Sequence, residues 1–145
     1  MSAVIFDIDG TLADTTHRKH HVEQRPKDWK AWNAAMHLDG QRPAIIKLAR
    51  ELAKSHRLVL CTGRHEEFRD VTSKWLANVA DIWFSDLYMR ADGDFRDDAI
   101  VKSELLDRII ADGYEPWLVV DDRDKVVAMW RERGLDCLQC APGNF

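Results

Sequence analysis

Two carboxylates two residues apart, Asp7 and Asp9, close the apolar run Val4-Ile5-Phe6 and lead into Gly10-Thr11-Leu12. In an extended strand residues i and i+2 point the same way, so both acids can face one pocket. Like charges held that close repel unless a cation lies between them or one is protonated. The pair therefore asks for a divalent metal and for a reaction, and Gly10 lets the backbone turn sharply away. Two further clusters have the same character. Thr62-Gly63-Arg64 follows Leu58-Val59-Leu60-Cys61, and Asp121-Asp122-Arg123 follows Trp117-Leu118-Val119-Val120.

The elements that must position these residues alternate. Helical spacing of apolar residues predicts helices over Pro43–Lys54, Glu66–Ala77, Ile100–Ile110 and Val126–Arg133, the last capped by Gly134. Short apolar runs predict strands at Arg57–Cys61, Ile82–Phe84, Leu87–Met89, Trp117–Val120 and Asp136–Gln139. Strand and helix in alternation imply an α/β fold, a parallel sheet covered on both faces. Ligands of such sheets bind beyond the carboxyl ends of the strands. All three polar clusters fall at such ends, and three on one edge make a site.

Ala13 to Gly40 reads as an excursion from this body. Pro26 suits a first helical turn, Trp29, Trp32 and Met36 recur at helical spacing, and Asp39-Gly40 stops the run. A single aromatic stripe usually means packing, so Trp29 and Trp32 are expected to dock this helix on the body rather than to stack on bases. The same stretch is locally basic. His17, Arg18, Lys19, His20, His21, Arg25, Lys27 and Lys30 outnumber Glu23 and Asp28, and from charge alone this reads as a solvated helix face.

Composition sets outer bounds. The 145 residues, 46% hydrophobic and 32% charged, suit one compact domain with a real core. The net charge of -4 argues against a broad nucleic-acid-coating surface. No apolar stretch approaches a membrane span, and the acid-bearing first strand does not read as a signal peptide. Cys61, Cys137 and Cys140 are odd in number and lie in or near strand-like runs, which suggests reduced thiols and a cytoplasmic location. Cys137 and Cys140 have redox spacing, yet alternation along a terminal strand would send them to opposite faces.

With Asp7-Ile8-Asp9-Gly10-Thr11, Thr62, Lys102 and Asp121-Asp122 in that order, the chain resembles the haloacid-dehalogenase (HAD) superfamily of Mg2+-dependent phosphotransferases. The resemblance spans nearly everything outside the excursion. It implies a three-layer α/β/α, Rossmann-like HAD fold over residues 1–145, with 14–42 as a small cap-like insertion. It implies Asp7 as nucleophile, Asp9 as general acid and base, and Thr62, Gly63 and Lys102 at the phosphoryl group. It assigns Mg2+ to the Asp7 side chain, the Asp9 carbonyl and Asp121, with Asp122 beside them. Such chemistry is physically coherent. A carboxylate nucleophile splits hydrolysis into two easier steps, and Mg2+ prefers oxygen donors.

A closer similarity links Arg96-Asp97-Asp98-Ala99-Ile100-Val101-Lys102 and the segment from Asp121 to Cys137 to the 3'-phosphatase domain of phage polynucleotide kinase-phosphatases. It implies substrate-binding roles for Arg18, Arg64 and Arg123. It also gives Asp98, four residues before Lys102 on one helix face, the task of orienting that lysine. The expected partner is a phosphorylated substrate, a nucleic-acid 3'-end or a nucleotide, and no membrane. No GxxxxGK[ST] occurs, so no kinase loop is expected within this chain. Two alternatives stay open at this point. One is a phosphatase of a small metabolite or free nucleotide. The other is a phospho-accepting regulatory domain, against which Asp9 argues because it supplies proton chemistry.

Overall fold

The computed structural model describes residues 1–145. Seven strands and six helices run in the order β1 (Ser2–Phe6), β2 (Ala13–Asp14), α1 (His20–Glu23), α2 (Trp29–Ala34), β3 (Gly40–Gln41), α3 (Pro43–Ala53), β4 (Arg57–His65), α4 (Arg69–Asn78), β5 (Asp86–Arg90), α5 (Asp98–Ala111), β6 (Glu115–Asp121), α6 (Asp124–Glu132) and β7 (Asp136–Gln139). Five strands pair in parallel in the order β5-β4-β1-β6-β7. The fold is α/β with a central parallel sheet, as the alternation predicts.

Strand alternation builds two cores. Val4 and Phe6 of β1 pack with Leu58 and Leu60 of β4 beneath Ile46 and Ala49 of α3 and Trp75 and Leu76 of α4. Ala3 and Ile5 point the other way, with Val59, Cys61 and Val119, against Val101, Leu105 and Ile109 of α5 and Val126 and Trp130 of α6. The register Val4↔Leu58 and Phe6↔Leu60 keeps like-facing residues level, so a one-residue slip would exchange the two cores. Each fully buried large apolar side chain contributes about 1.5–3 kcal/mol, which is why these helices form in context. No helix is long and apolar enough to cross a membrane.

The chain leaves β1 into the centre of the sheet, with β4 on one side and β6 on the other. That is a switch point, where crossovers depart in opposite directions and open a crevice. Residues between β2 and β3 leave the body as one excursion, closed by the antiparallel pairs Ala13↔Gln41 and Asp14↔Gly40.

Several local expectations fail for identifiable reasons. Ile82–Phe84 forms no strand. Asp81 takes a left-handed conformation (φ 51), Ile82 closes the end of α4 through a bond to the Leu76 carbonyl, and Trp83 is 86% exposed. Pro26 does not begin a helix. Asp28 is the N-cap of α2, accepting from the Ala31 amide at 3.0 Å, which satisfies an otherwise orphaned donor. Trp29 does not dock α2 either. It is 56% exposed, while Met36, in the turn after α2, is the buried anchor. By contrast Cys137 and Cys140 do face opposite cores, one in each packed layer.

Candidate active site

Asp7 is the first residue beyond β1, and its amide donates to the Val120 carbonyl at 3.0 Å, so the ladder to β6 fixes its backbone. Its two carboxylate oxygens are held separately: Oδ1 accepts from Lys102 Nζ and Oδ2 from Thr11 Oγ1, both at 2.9 Å. Lys102 reaches from α5 and also donates to Asp121 Oδ2 at 2.9 Å. Asp121 further accepts from Trp130 Nε1 at 3.1 Å and from the Asp122 amide at 2.8 Å. Gly10 has φ +80, and a Cβ there would run into the Asp122 carboxylate. No other residue fits.

Oxygens of Asp7, Asp121 and Asp122 all lie within 4.8 Å of one another, and all three residues are buried. One lysine against three acids leaves negative charge uncompensated. Burial first, then Asp121, pushes the Asp7 carboxyl well above the usual carboxylate range despite Lys102. Burial and Asp121 likewise raise Asp122 to about 6. For Asp121, burial acts upward, but Lys102, Trp130 and the Asp122 amide outweigh it and the pKa falls. The Asp9 carbonyl accepts no backbone hydrogen bond. An all-oxygen donor set with surplus negative charge fits a hard divalent cation.

Asp9 faces a second cluster. Its Oδ1 accepts from Arg18 Nη2 at 2.8 Å and from Arg64 Nη2 at 2.6 Å. Behind both guanidinium groups stands Asp39, which takes Arg18 Nε at 2.7 Å, Arg18 Nη2 at 2.8 Å and Arg64 Nη2 at 3.1 Å. His17 Nε2 lies 2.7 Å from Asp39 Oδ1, and Trp75 Nε1 donates to the Asp39 carbonyl at 2.9 Å. The Asp39 side chain has no exposure, whereas that of Asp9 is 29% exposed. Two arginines and two carboxylates balance. Burial would raise Asp9, but Arg64 and then Arg18 prevail and bring it down to about 2.

The remaining sequence-derived residues gather at the same edge with altered partners. Thr62 is buried and its hydroxyl oxygen accepts from the Arg64 amide at 3.1 Å, at the end of β4 where the register with β5 shifts between Thr62 and His65. Gly63 gives its carbonyl to Arg90 Nε at 2.8 Å, and a Cβ on it would sit 2.7 Å from Asp98 Oδ1. Asp98 makes no hydrogen bond to Lys102, contrary to expectation. It pairs with Arg90 and, at 3.0 Å, with Arg123 Nη1, because those guanidinium groups bracket the first residue of α5. Lys102, one turn on, points instead across the strand ends to Asp7 and Asp121. Arg123 also donates to the Phe145 carbonyl at 2.7 Å. Arg18 and Arg64 already have carboxylate partners.

Sequence reasoning gave Thr11 no role of its own within its motif, and missed Arg90, Trp130 and Asp39 at the site. Arg90 ends β5 at the carboxyl edge, so the strand-end rule that flagged the other clusters could have found it. Asp39 carried no such signal: it lies 30 residues from Asp9 and reads as a helix stop.

The family model described as "Polynucleotide kinase PNKP phosphatase domain" matches residues 1–145. The chain belongs to this family. It is a phosphatase domain of the HAD superfamily, with a phosphorylated substrate. A protein named "Putative bifunctional polynucleotide kinase/RNA ligase", from Autographa californica nuclear polyhedrosis virus, is 30% identical over 132 residues, covering 90% of this chain and 18% of that protein. A chain from the "Structure of Pnkp1/Rnl/Hen1 complex" superposes with a TM-score of 0.85 at 30% identity, over 99% of this chain and 47% of that one. This chain thus spans less than half the length of either relative. A class C acid phosphatase from Bacillus anthracis with tungstate bound shares the fold, with a TM-score of 0.69 at 16% identity over 99% of this chain and 67% of that one.

Proposed function

We propose that this domain removes 3'-phosphates from nucleic-acid ends in a Mg2+-dependent reaction through an aspartyl-phosphate on Asp7. The observation that carries the reading is the division of labour around the two acids. Asp7 is clamped between Lys102 and Thr11 beside two further buried acids, whereas Asp9 lies under two arginines.

An Asp7 oxygen attacks phosphorus and the bond to the sugar oxygen breaks, that oxygen taking a proton from Asp9. Water then attacks the acyl-phosphate, gives a proton back to Asp9, and regenerates Asp7 with release of phosphate. At rest Asp9 is ionised by its arginines. An incoming phosphomonoester competes for Arg18 and Arg64; as they turn to it the Asp9 pKa rises and the carboxylate takes up a proton from solvent, the proton it passes to the leaving sugar oxygen. Lys102 and the Thr62-Gly63 end of β4 face the transferring group, and Arg123, braced by Asp98, extends the cationic rim. Asp7, Asp121, Asp122 and the Asp9 carbonyl would hold Mg2+, which supplies charge neutralisation between nucleophile and phosphate.

The test is phosphate release, with and without Mg2+, from a 3'-phosphorylated oligonucleotide and from a panel of phosphorylated metabolites. Turnover of the oligonucleotide supports the reading. Turnover of metabolites alone refutes the nucleic-acid substrate while leaving the phosphatase intact.

A further inference from the structure

Four large aromatic side chains are more than half exposed, and their surroundings differ. Phe145 is 61% exposed over the single cation Arg123, 5.3 Å from its ring centroid, whose charge Asp98 already pairs. Trp83 is 86% exposed in the turn before β5, at the amino end of the strands and away from the site. Phe95 is 84% exposed at the carboxyl edge, but within a segment carrying Asp92, Asp94 and Asp97, surroundings that repel a phosphate chain. Trp29 is 56% exposed and sits among cations, with Lys27 Nζ 5.4 Å from its ring centroid and with Lys30, Arg25 and Lys19 all exposed nearby in sequence. Residues 19–30 carry four cations against Glu23 and Asp28, in a chain whose net charge is -4.

Trp29 also connects to the site. Trp32 follows at i+3, which places the two indoles on neighbouring positions of α2. Its ring lies 3.9 Å from the Arg18 guanidinium, and Arg18 donates to Asp9 at 2.8 Å. Trp32, the Arg18 guanidinium and Asp9 thus form a run of contacts leading into the site, and Trp29 stands three residues earlier on the same helix, open to solvent. Stacked bases flanked by cations are how proteins hold single strands without reading sequence.

We propose that the Trp29–Trp32 face of α2 is a binding platform for the single-stranded nucleotides that precede the 3'-terminal phosphate. The platform rests on the nucleic-acid reading above and adds a binding site to it. Bases stack on the two indoles, and the cations of residues 19–30 accompany the backbone phosphates. Arg18, stacked under Trp32, marks where the strand ends and the reacting phosphate begins. Substrates of one nucleotide forgo this surface; longer strands use it.

The experiment compares KM for a 3'-phosphorylated mononucleotide with KM for a 3'-phosphorylated single-stranded pentanucleotide, in wild type, Trp29→Ala, Trp29→Phe and Trp83→Ala. Wild type favours the pentanucleotide, and Trp29→Ala lowers that preference about tenfold, the scale of one lost base stack. Trp29→Phe restores most of it, and Trp83→Ala matches wild type. Wild-type turnover of both substrates with an equal KM ratio in Trp29→Ala overturns the platform alone. The same equality accompanied by a Trp29-dependent change in sedimentation assigns the patch to a protein contact, and also overturns it. Failure of wild type to turn over any 3'-phosphorylated strand overturns the nucleic-acid reading, and the platform with it.

Discussion

The two halves of the active site solve opposite electrostatic problems. Around Asp7, three buried acids share one lysine, so the pocket carries surplus negative charge that a cation or a proton must settle. Around Asp9, two arginines meet two carboxylates and the charges cancel. The first half is unbalanced, and its all-oxygen donor set fits a metal. The second is balanced, and in the proposed reaction a substrate anion opens it. Buried pairs of the second kind add modest net stability, because desolvation offsets their attraction, but breaking one leaves a buried charge alone.

The largest effect belongs to the unbalanced half. Asp7→Asn keeps the shape and the Thr11 contact but removes the proposed nucleophile, and phosphate release is expected to fall more than about 10³-fold. Near wild-type turnover would remove Asp7 from the chemistry. Lys102→Ala is expected to cost on the order of 10²-fold or more in kcat, since it withdraws a charged donor from the transition state; an unchanged kcat places Lys102 in a structural role only. Asp39→Asn tests the balanced half. Both arginines lose a charged anchor, so KM for the phosphorylated substrate should rise about tenfold with a smaller change in kcat. An equal fall in kcat with KM unchanged would show that Asp39 acts in the chemical step instead.

The balanced half also sets a pH signature. Asp9 has a folded pKa of about 2, below its ordinary value of 3.8. A depressed carboxyl pKa stabilises the folded state fully above the unfolded pKa, and that contribution drains away as pH falls through about 4 towards 2. Between pH 5 and pH 3, wild type should therefore lose more Tm than Asp9→Asn, which has no charge to lose. Parallel Tm–pH curves would contradict the ion-pair assignment. The smallest effect concerns the thiols. Burial pushes Cys61 and Cys137 up to about 12, so native protein at pH 8 should resist alkylation at both, and labelling as fast as in denaturant would show that these cores open.

What could be read in advance follows the same division. The Asp7 half is made of residues at strand ends, where alternation and chain order place Asp7, Thr62 and Asp121 on one edge before any coordinates exist. Lys102 came only from the family resemblance, since a lone lysine on a helix reads as a solvated residue, and its reach to Asp7 rather than to Asp98 was not legible. The Asp9 half depends on Arg18 and Asp39, which come from the excursion between β2 and β3. Nothing in spacing relates residue 39 to residue 9; only the folded excursion does, through Trp75 and the antiparallel closure at Gly40 and Gln41. Trp29 shows the same limit. Helical periodicity identifies a stripe of apolar residues, but which member meets the body depends on where the helix begins, and Asp28 rather than Pro26 decides that.

The most direct test of the division of labour is a rapid-quench experiment with a 3'-phosphorylated oligonucleotide carrying label in the phosphoryl group. With Mg2+ present, wild type should show protein-bound label that maps to the peptide containing Asp7 and decays as free phosphate appears, and Asp7→Asn should show none. Label that maps elsewhere, or wild-type phosphate release with no protein-bound label at any time, would contradict attack by Asp7.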